Sequence, residues 1–195
     1  MIKRHDAPPE PVNPYPDAPT EVAGFRYDSA LVLLRLKDAV RMRNGEDTDY
    51  LLGRPFLASW QDPDGVWIPL AVPQGLITDL TSVPRLFRFL IGRVGPWLEA
   101  AIIHDYLYIA WQDVSGRGST EQDRRFADNI MRAAMQAAKV GPLRIWAIFA
   151  ALRLFGGPGY RRGAQERFVD ICDPDITCQL APQTAGHGQC YISRS

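Results

Sequence analysis

Residues 97–111 read WLEAAIIHDYLYIAW. On a helix, Trp97, Ala101, His104, Tyr108 and Trp111 fall on one stripe, and Leu98, Ile102, Asp105 and Ile109 on a second. A helix that is apolar almost all round is a central, buried one. His104 and Asp105 sit adjacent in its middle, where an ionisable group without a partner costs on the order of several kcal/mol. A hydrogen-bond network or a metal is therefore expected to meet this pair.

Upstream of that helix the pattern changes to strands. Ala30 to Leu36 is a short apolar run, and Phe56, Ala58 and Trp60 alternate with more polar neighbours. Asp62-Pro63-Asp64-Gly65 supplies turn chemistry, and Val66 to Val72 resumes the apolar pattern, which together predict a β-hairpin. Pro69 and Pro73 push its second strand toward a sheet edge. In the segment Gly75 to Arg85, Ser82 is placed to cap a short helix running to Ile91, with Pro84 in its first turn.

Downstream, Ser119 and Gln122 fit a capping box that opens a helix to about Lys139, with Phe126, Ala127, Ile130, Met131, Ala134 and Ala137 on its core face. Gly141-Pro142 separates it from a nearly all-apolar helix, Leu143 to Phe155, expected to be buried and to stop at Gly156-Gly157-Pro158-Gly159. Strands first and three to four helices after them give an α+β class, a small antiparallel sheet followed by a helix bundle.

Residues 1–24 carry six prolines and few apolar side chains, the composition of an extended arm. The expected organisation is that arm, a single core over 25–168, and an irregular tail over 169–195 that holds Cys172, Cys178 and Cys190. Three cysteines in the tail make no disulfide framework for the core. Acidic and basic residues balance at 22 each, so no global field points to nucleic acid or anionic lipid. A basic, apolar export signal and a membrane-spanning apolar run are both absent, and a soluble protein is expected.

The candidate chemistry centres on His104, Asp105 and Asp128. A buried histidine held by a carboxylate from a neighbouring helix is poised as a general base on water, and a carboxylate beside it suits a hard cation such as calcium. The competing reading makes them satisfied core residues. Asp79 is either a further metal ligand or a brace for its turn, and Ser82 either a nucleophile or, by preference, a cap. A histidine–aspartate metal phosphohydrolase needs another upstream histidine, and only His5 in the arm is available. Arg124 and Arg125 read as a solvated or salt-bridged face, with binding of a phosphate or pairing with Asp123 as the competing readings. Cys172, Cys178, His187 and Cys190 match no common zinc spacing, although zinc would staple the tail.

The ordered motifs TDLTSVPR (78–85), AAIIHDYLY (100–108) and RRFADNIMRAAM (124–135), closed by RLFGG (153–157), resemble an uncharacterised family of bacteriophage and prophage proteins. That resemblance implies a phage origin and supplies no activity. The order A-x-I-H-D-x-x-Y followed by an aspartate on a second helix is similar to the catalytic helix pair of phospholipase A2. It implies His104 as general base, Asp105 as calcium ligand, and Tyr108 and Asp128 as supports that orient His104. The sequence departs from that family in having no glycine-rich calcium loop of the expected form before the helix.

The leading expectation is a phage-encoded virion component of the tail or its tip, present in the host cytoplasm during assembly. Residues 1–24 and 169–195 would clasp other phage proteins or further copies of the chain. The alternative is a metal-assisted, phospholipase A2-like hydrolase of envelope lipid or cell wall, with His104, Asp128 and Tyr108 in the catalytic constellation. Asp105 and Asp79 would then hold calcium or zinc.

Overall fold

The computed structural model describes residues 4–8, 10, 12–35, 50–78, 95–174 and 176–177. The strands are Arg4–His5 (β1), Gly24–Tyr27 (β2), Leu33–Leu34 (β3), Tyr50–Leu52 (β4), Phe56–Gln61 (β5), Trp67–Val72 (β6), Ile77–Thr78 (β7) and Phe168–Val169 (β8). The helices are Leu98–Leu107 (α1), Glu121–Ala137 (α2) and Pro142–Arg162 (α3), with a 3-10 turn at Ala110–Asp113 between the first two. The class is α+β, strands early and helices late.

The hairpin forms as its residues predict. β5 and β6 pair antiparallel from Phe56↔Val72 to Gln61↔Trp67. Asp62 closes the turn by accepting from the Val66 amide at 2.8 Å, and Gly65 takes the positive φ of 86° that favours glycine. β2 joins the other edge of β5, so Pro69 lies in an edge strand, where its missing N–H costs no ladder bond. The second sheet has the order β3–β4–β7, and the third is the pair β1–β8. Alternation along β5 buries Phe56, Ala58 and Trp60 and leaves Leu57 outside.

The buried face of the β2–β5–β6 sheet meets α2. Trp60 packs edge-on against Phe126 with centroids 5.1 Å apart, and the Tyr27 hydroxyl donates to the Ala134 carbonyl at 3.0 Å. α1 packs on the same helix, with Ala100, Ile102, Ile103 and Leu107 fully buried, and α3 packs on it as well. No helix among the described residues is long and apolar enough to cross a membrane.

Several local expectations shift. The cap of α2 is Thr120, one residue after Ser119; its hydroxyl accepts from the Asp123 amide at 3.1 Å. Ala137 is exposed with its neighbour Gln136, on the outer side of a last turn whose inner side holds the fully buried Ala134 and Met135. α3 runs through Gly156-Gly157-Pro158-Gly159 and stops at Gly163, whose φ of 63° breaks the helix. Pro158 removes one helix bond, to the carbonyl of exposed Leu154.

The largest departure is the exposure of α3. Its inner face is Ile145, Ile148, Ala151 and Tyr160, while Leu143, Trp146, Leu154 and Phe155 stand 78%, 67%, 74% and 56% exposed. An apolar composition is not itself a burial signal when only one side of a helix finds a partner.

Described parts of the proline-rich segment pack on the body of their own chain. β1 pairs with β8 through Arg4↔Val169 and His5↔Phe168, and Tyr15 is 5% exposed in the main core. The Tyr15 hydroxyl donates to the Leu107 carbonyl at 2.5 Å and accepts from the Trp111 amide at 3.0 Å. Arg117 lies over its ring, 5.0 Å from the centroid.

Candidate functional site

α1 and α2 cross where each carries its polar residue. His104 is buried on α1, and Asp128 is wholly buried in the middle of α2. The His104 Nε2 lies 3.2 Å from Asp128 Oδ1. Tyr108, one turn after His104, donates its hydroxyl to the same oxygen at 2.7 Å. The two rings lean together with centroids 4.0 Å apart.

The other carboxylate oxygen faces cations. Arg124 Nη1 reaches Asp128 Oδ2 at 3.3 Å, and Arg153 Nε lies 3.5 Å from it. Arg124 is held from its far side by Glu121, with bonds of 2.7 and 2.9 Å, and Arg153 donates to Asn129 at 2.8 Å. A wholly buried carboxylate persists only when such partners replace water, and here four side chains do so.

The titration shifts follow this wiring. Burial pushes the Tyr108 phenol up, and the neighbouring Asp128 charge adds to it, so Tyr108 stays a proton donor. The hydrogen bond to Glu121 raises Arg124 further, and the Asp128 charge acts in the same direction. Burial lowers Arg153, with Asp128 opposing the shift. Arg124 and Arg125 hold the Glu121 carboxyl down at about 2.

Close approach of α3 depends on Gly156. A Cβ built there would collide with the Tyr108 hydroxyl. Glycine therefore lets α3 lie against the ring that orients Asp128, which explains a glycine inside a helix better than a helix stop does.

His104, Tyr108 and Asp128 are thus brought together. Asp105 points elsewhere, accepting from the Thr78 hydroxyl at 3.1 Å. Asp79, Ser82 and the short helix expected to follow Ser82 lie outside the described residues, as do Cys178, His187 and Cys190. Cys172 is exposed and unbridged. Among the described residues, no three His, Cys, Asp or Glu side chains cluster as metal donors.

Arg124, expected on a solvated or salt-bridged face, is buried and pairs with Glu121 and Asp128, while Arg153 joins the site without any expectation attached to it. Arg124 stands four residues before Asp128, a spacing that pairs side chains along a helix, so its role carries a local signal. Arg153 comes from a different helix and carries none.

Residues 58–152 match a family described as a protein of unknown function (DUF1353). The matched stretch contains His104, Tyr108, Arg124 and Asp128 and ends one residue before Arg153. No curated protein matches the chain, and no solved structure does.

Proposed function

We propose that this chain is a hydrolase of phospholipase A2-like type, with His104 as general base and Asp128 as the residue that orients it. The convergence of Tyr108 and His104 on one oxygen of a wholly buried Asp128 carries this reading. A carboxylate held by two guanidinium groups accepts hydrogen bonds, so in this reading Nε2–H donates to Asp128 Oδ1 and Nδ1 carries the lone pair that acts as base. Nδ1 takes a proton from water as the water oxygen attacks an ester carbonyl, and the imidazolium returns that proton to the departing alkoxide. The substrate class is an acyl ester of envelope lipid; cell wall is the competing substrate.

Calcium or zinc belongs to this reading only through Asp105 and Asp79. Asp105 and Thr78 together supply two side chains with oxygen donors, short of the roughly six to eight oxygens that calcium takes. The described residues do not by themselves complete a cation site, and the proton transfers above are assigned to His104 alone.

The experiment is hydrolysis of mixed phospholipid substrate by the purified chain, with and without added calcium, for wild type, His104→Gln and Tyr108→Phe. Loss of turnover in His104→Gln with an unchanged melting transition supports the reading. Equal turnover in wild type and His104→Gln refutes it.

The motif series supports a second element of the proposal, that the chain is phage-encoded and travels in the particle, at the tail or its tip. An envelope hydrolase placed there meets its substrate at infection. Mass spectrometry of purified particles tests this: presence in mature virions supports it, and absence sinks it. Arg4 and His5 pair with β8 and Tyr15 is buried in the core of the same chain, so these residues of the arm take part in its own fold.

A further inference from the structure

The outer face of α3 carries a continuous stripe. Leu143, Trp146, Ala150, Leu154, Gly157 and Arg161 follow one another at spacings of three and four residues, with Ala147 beside Trp146, so they line one side of the helix. Leu143, Trp146 and Leu154 are exposed to 78%, 67% and 74%, and Phe155 flanks them at 56%. From Leu143 to Leu154 the stripe extends roughly 16 Å at about 1.5 Å per residue. Apolar side chains grouped this way on an outer surface mark an interaction site.

Charge identifies what it meets. Residues 142–162 contain four arginines and no acidic residue, in a chain whose total charge is balanced. Arg144, Arg161 and Arg162 are exposed, so cations stand at both ends of the apolar stripe, and Arg132 of α2 is exposed beside Phe149. Two copies of so basic a helix repel one another, which disfavours a second chain. Exposed tryptophan, leucine and phenylalanine bordered by arginine suit the boundary between acyl chains and anionic headgroups.

We infer that α3 docks in the plane of an anionic phospholipid bilayer, with Leu143, Trp146 and Leu154 immersed and Arg144, Arg161 and Arg162 on the headgroups. The apolar surface is too short and too one-sided to span; it lies on the membrane. This surface is the opposite side of α3 from the face that meets Tyr108, and its docking does not depend on catalysis by His104.

The test is co-sedimentation of the full chain with vesicles of phosphatidylglycerol and phosphatidylcholine in equal parts, against phosphatidylcholine alone. The wild-type chain is expected to sediment with the anionic vesicles and to release as salt rises. Trp146→Ser combined with Leu154→Ser is expected to weaken binding about tenfold or more. Arg144→Glu combined with Arg161→Glu is expected to abolish the preference for anionic vesicles. All these positions are exposed, and a melting curve for each variant confirms that it folds. No binding to anionic vesicles overturns the inference, as does equal binding by the serine variant. A wild-type dimer that Trp146→Ser converts to monomer overturns it in favour of a second copy. His104→Gln binds like wild type if docking is independent, so failure of catalysis and failure of docking are read separately.

Discussion

Tyr108, which caps the end of α1, and His104, one turn before it, meet at the same oxygen of Asp128, Oδ1, at 2.7 and 3.2 Å. The second oxygen, Oδ2, is left to Arg124 and Arg153. One carboxylate thus divides its work: Oδ2 faces the compensating charge, and Oδ1 sets the direction of the imidazole. The division ties three helices together at one buried point.

Replacing that carboxylate should be costly. Asp128→Asn leaves Arg124 and Arg153 without their shared anion in a buried site, and a loss of ~3–5 kcal/mol is expected. Tyr108→Phe removes one hydrogen bond and should cost ~1–2 kcal/mol. Urea denaturation of the two variants measures both. An asparagine variant as stable as wild type would mean that water reaches the cluster.

Gly156→Ala should act on the site from the face of α3 that meets Tyr108. The added methyl meets the Tyr108 hydroxyl, whose ring is fixed by its bond to Asp128, so either α3 or the ring moves. A loss of ~1–3 kcal/mol is expected, as for other overpacked positions. Gly159→Ala in the same helix meets nothing within 4 Å and serves as the control. Thermal melts that fail to separate the two variants would contradict this contact.

Tyr15 should hold the proline-rich segment to the core. Tyr15→Phe leaves the Leu107 carbonyl and Trp111 amide without their partner, for an expected loss of ~1–3 kcal/mol. Deleting residues 1–24 should cost more, since it also removes the buried ring and strand β1. A deletion variant that melts with wild type would show that the segment contributes nothing to the fold.

Glu121 predicts a response to acid. Its carboxyl is held at about 2, below the ordinary 4.5, by bonds to Arg124 and Arg125. A depressed folded value contributes stability that is present above about pH 4.5 and is lost as pH falls toward 2. The side chain is 51% exposed, so solvent screening limits the effect to about 1 kcal/mol or less. Glu121→Gln should therefore be less stable than wild type at neutral pH, with a gap that narrows below about pH 4.5 and closes only as pH falls to about 2 or below. A gap of the same size at both ends of that range would remove the carboxylate from the explanation.

The parts of this fold that were legible in the chain are those set by local pattern. The Asp62–Gly65 turn, the alternation in β5 and the burial of α1 each follow from spacing and residue type within a few positions. The meeting of His104 with Asp128 was legible because both lie on inward faces of helices that had to pack. What local pattern does not determine is which side of an apolar segment finds a partner. Leu143 to Phe155 reads as buried from composition, yet α3 packs through one side alone. Arg153 and Tyr15 joined the interior from distant positions, and neither has a neighbour in sequence that announces the contact. Gly156 reads as a helix stop until the ring of Tyr108 is placed beside it.

The pairing of β1 with β8 sets an order of events. Arg4 and His5 lie upstream of every other described element, and their partners Phe168 and Val169 come after the last helix. Contacts of such long sequence separation close late, after local helices and hairpins have formed. During synthesis the N-terminal strand leaves the ribosome early and waits, unpaired, for nearly the whole described chain to follow. The segment translated before all the other described elements is therefore expected to be among the last to be fastened.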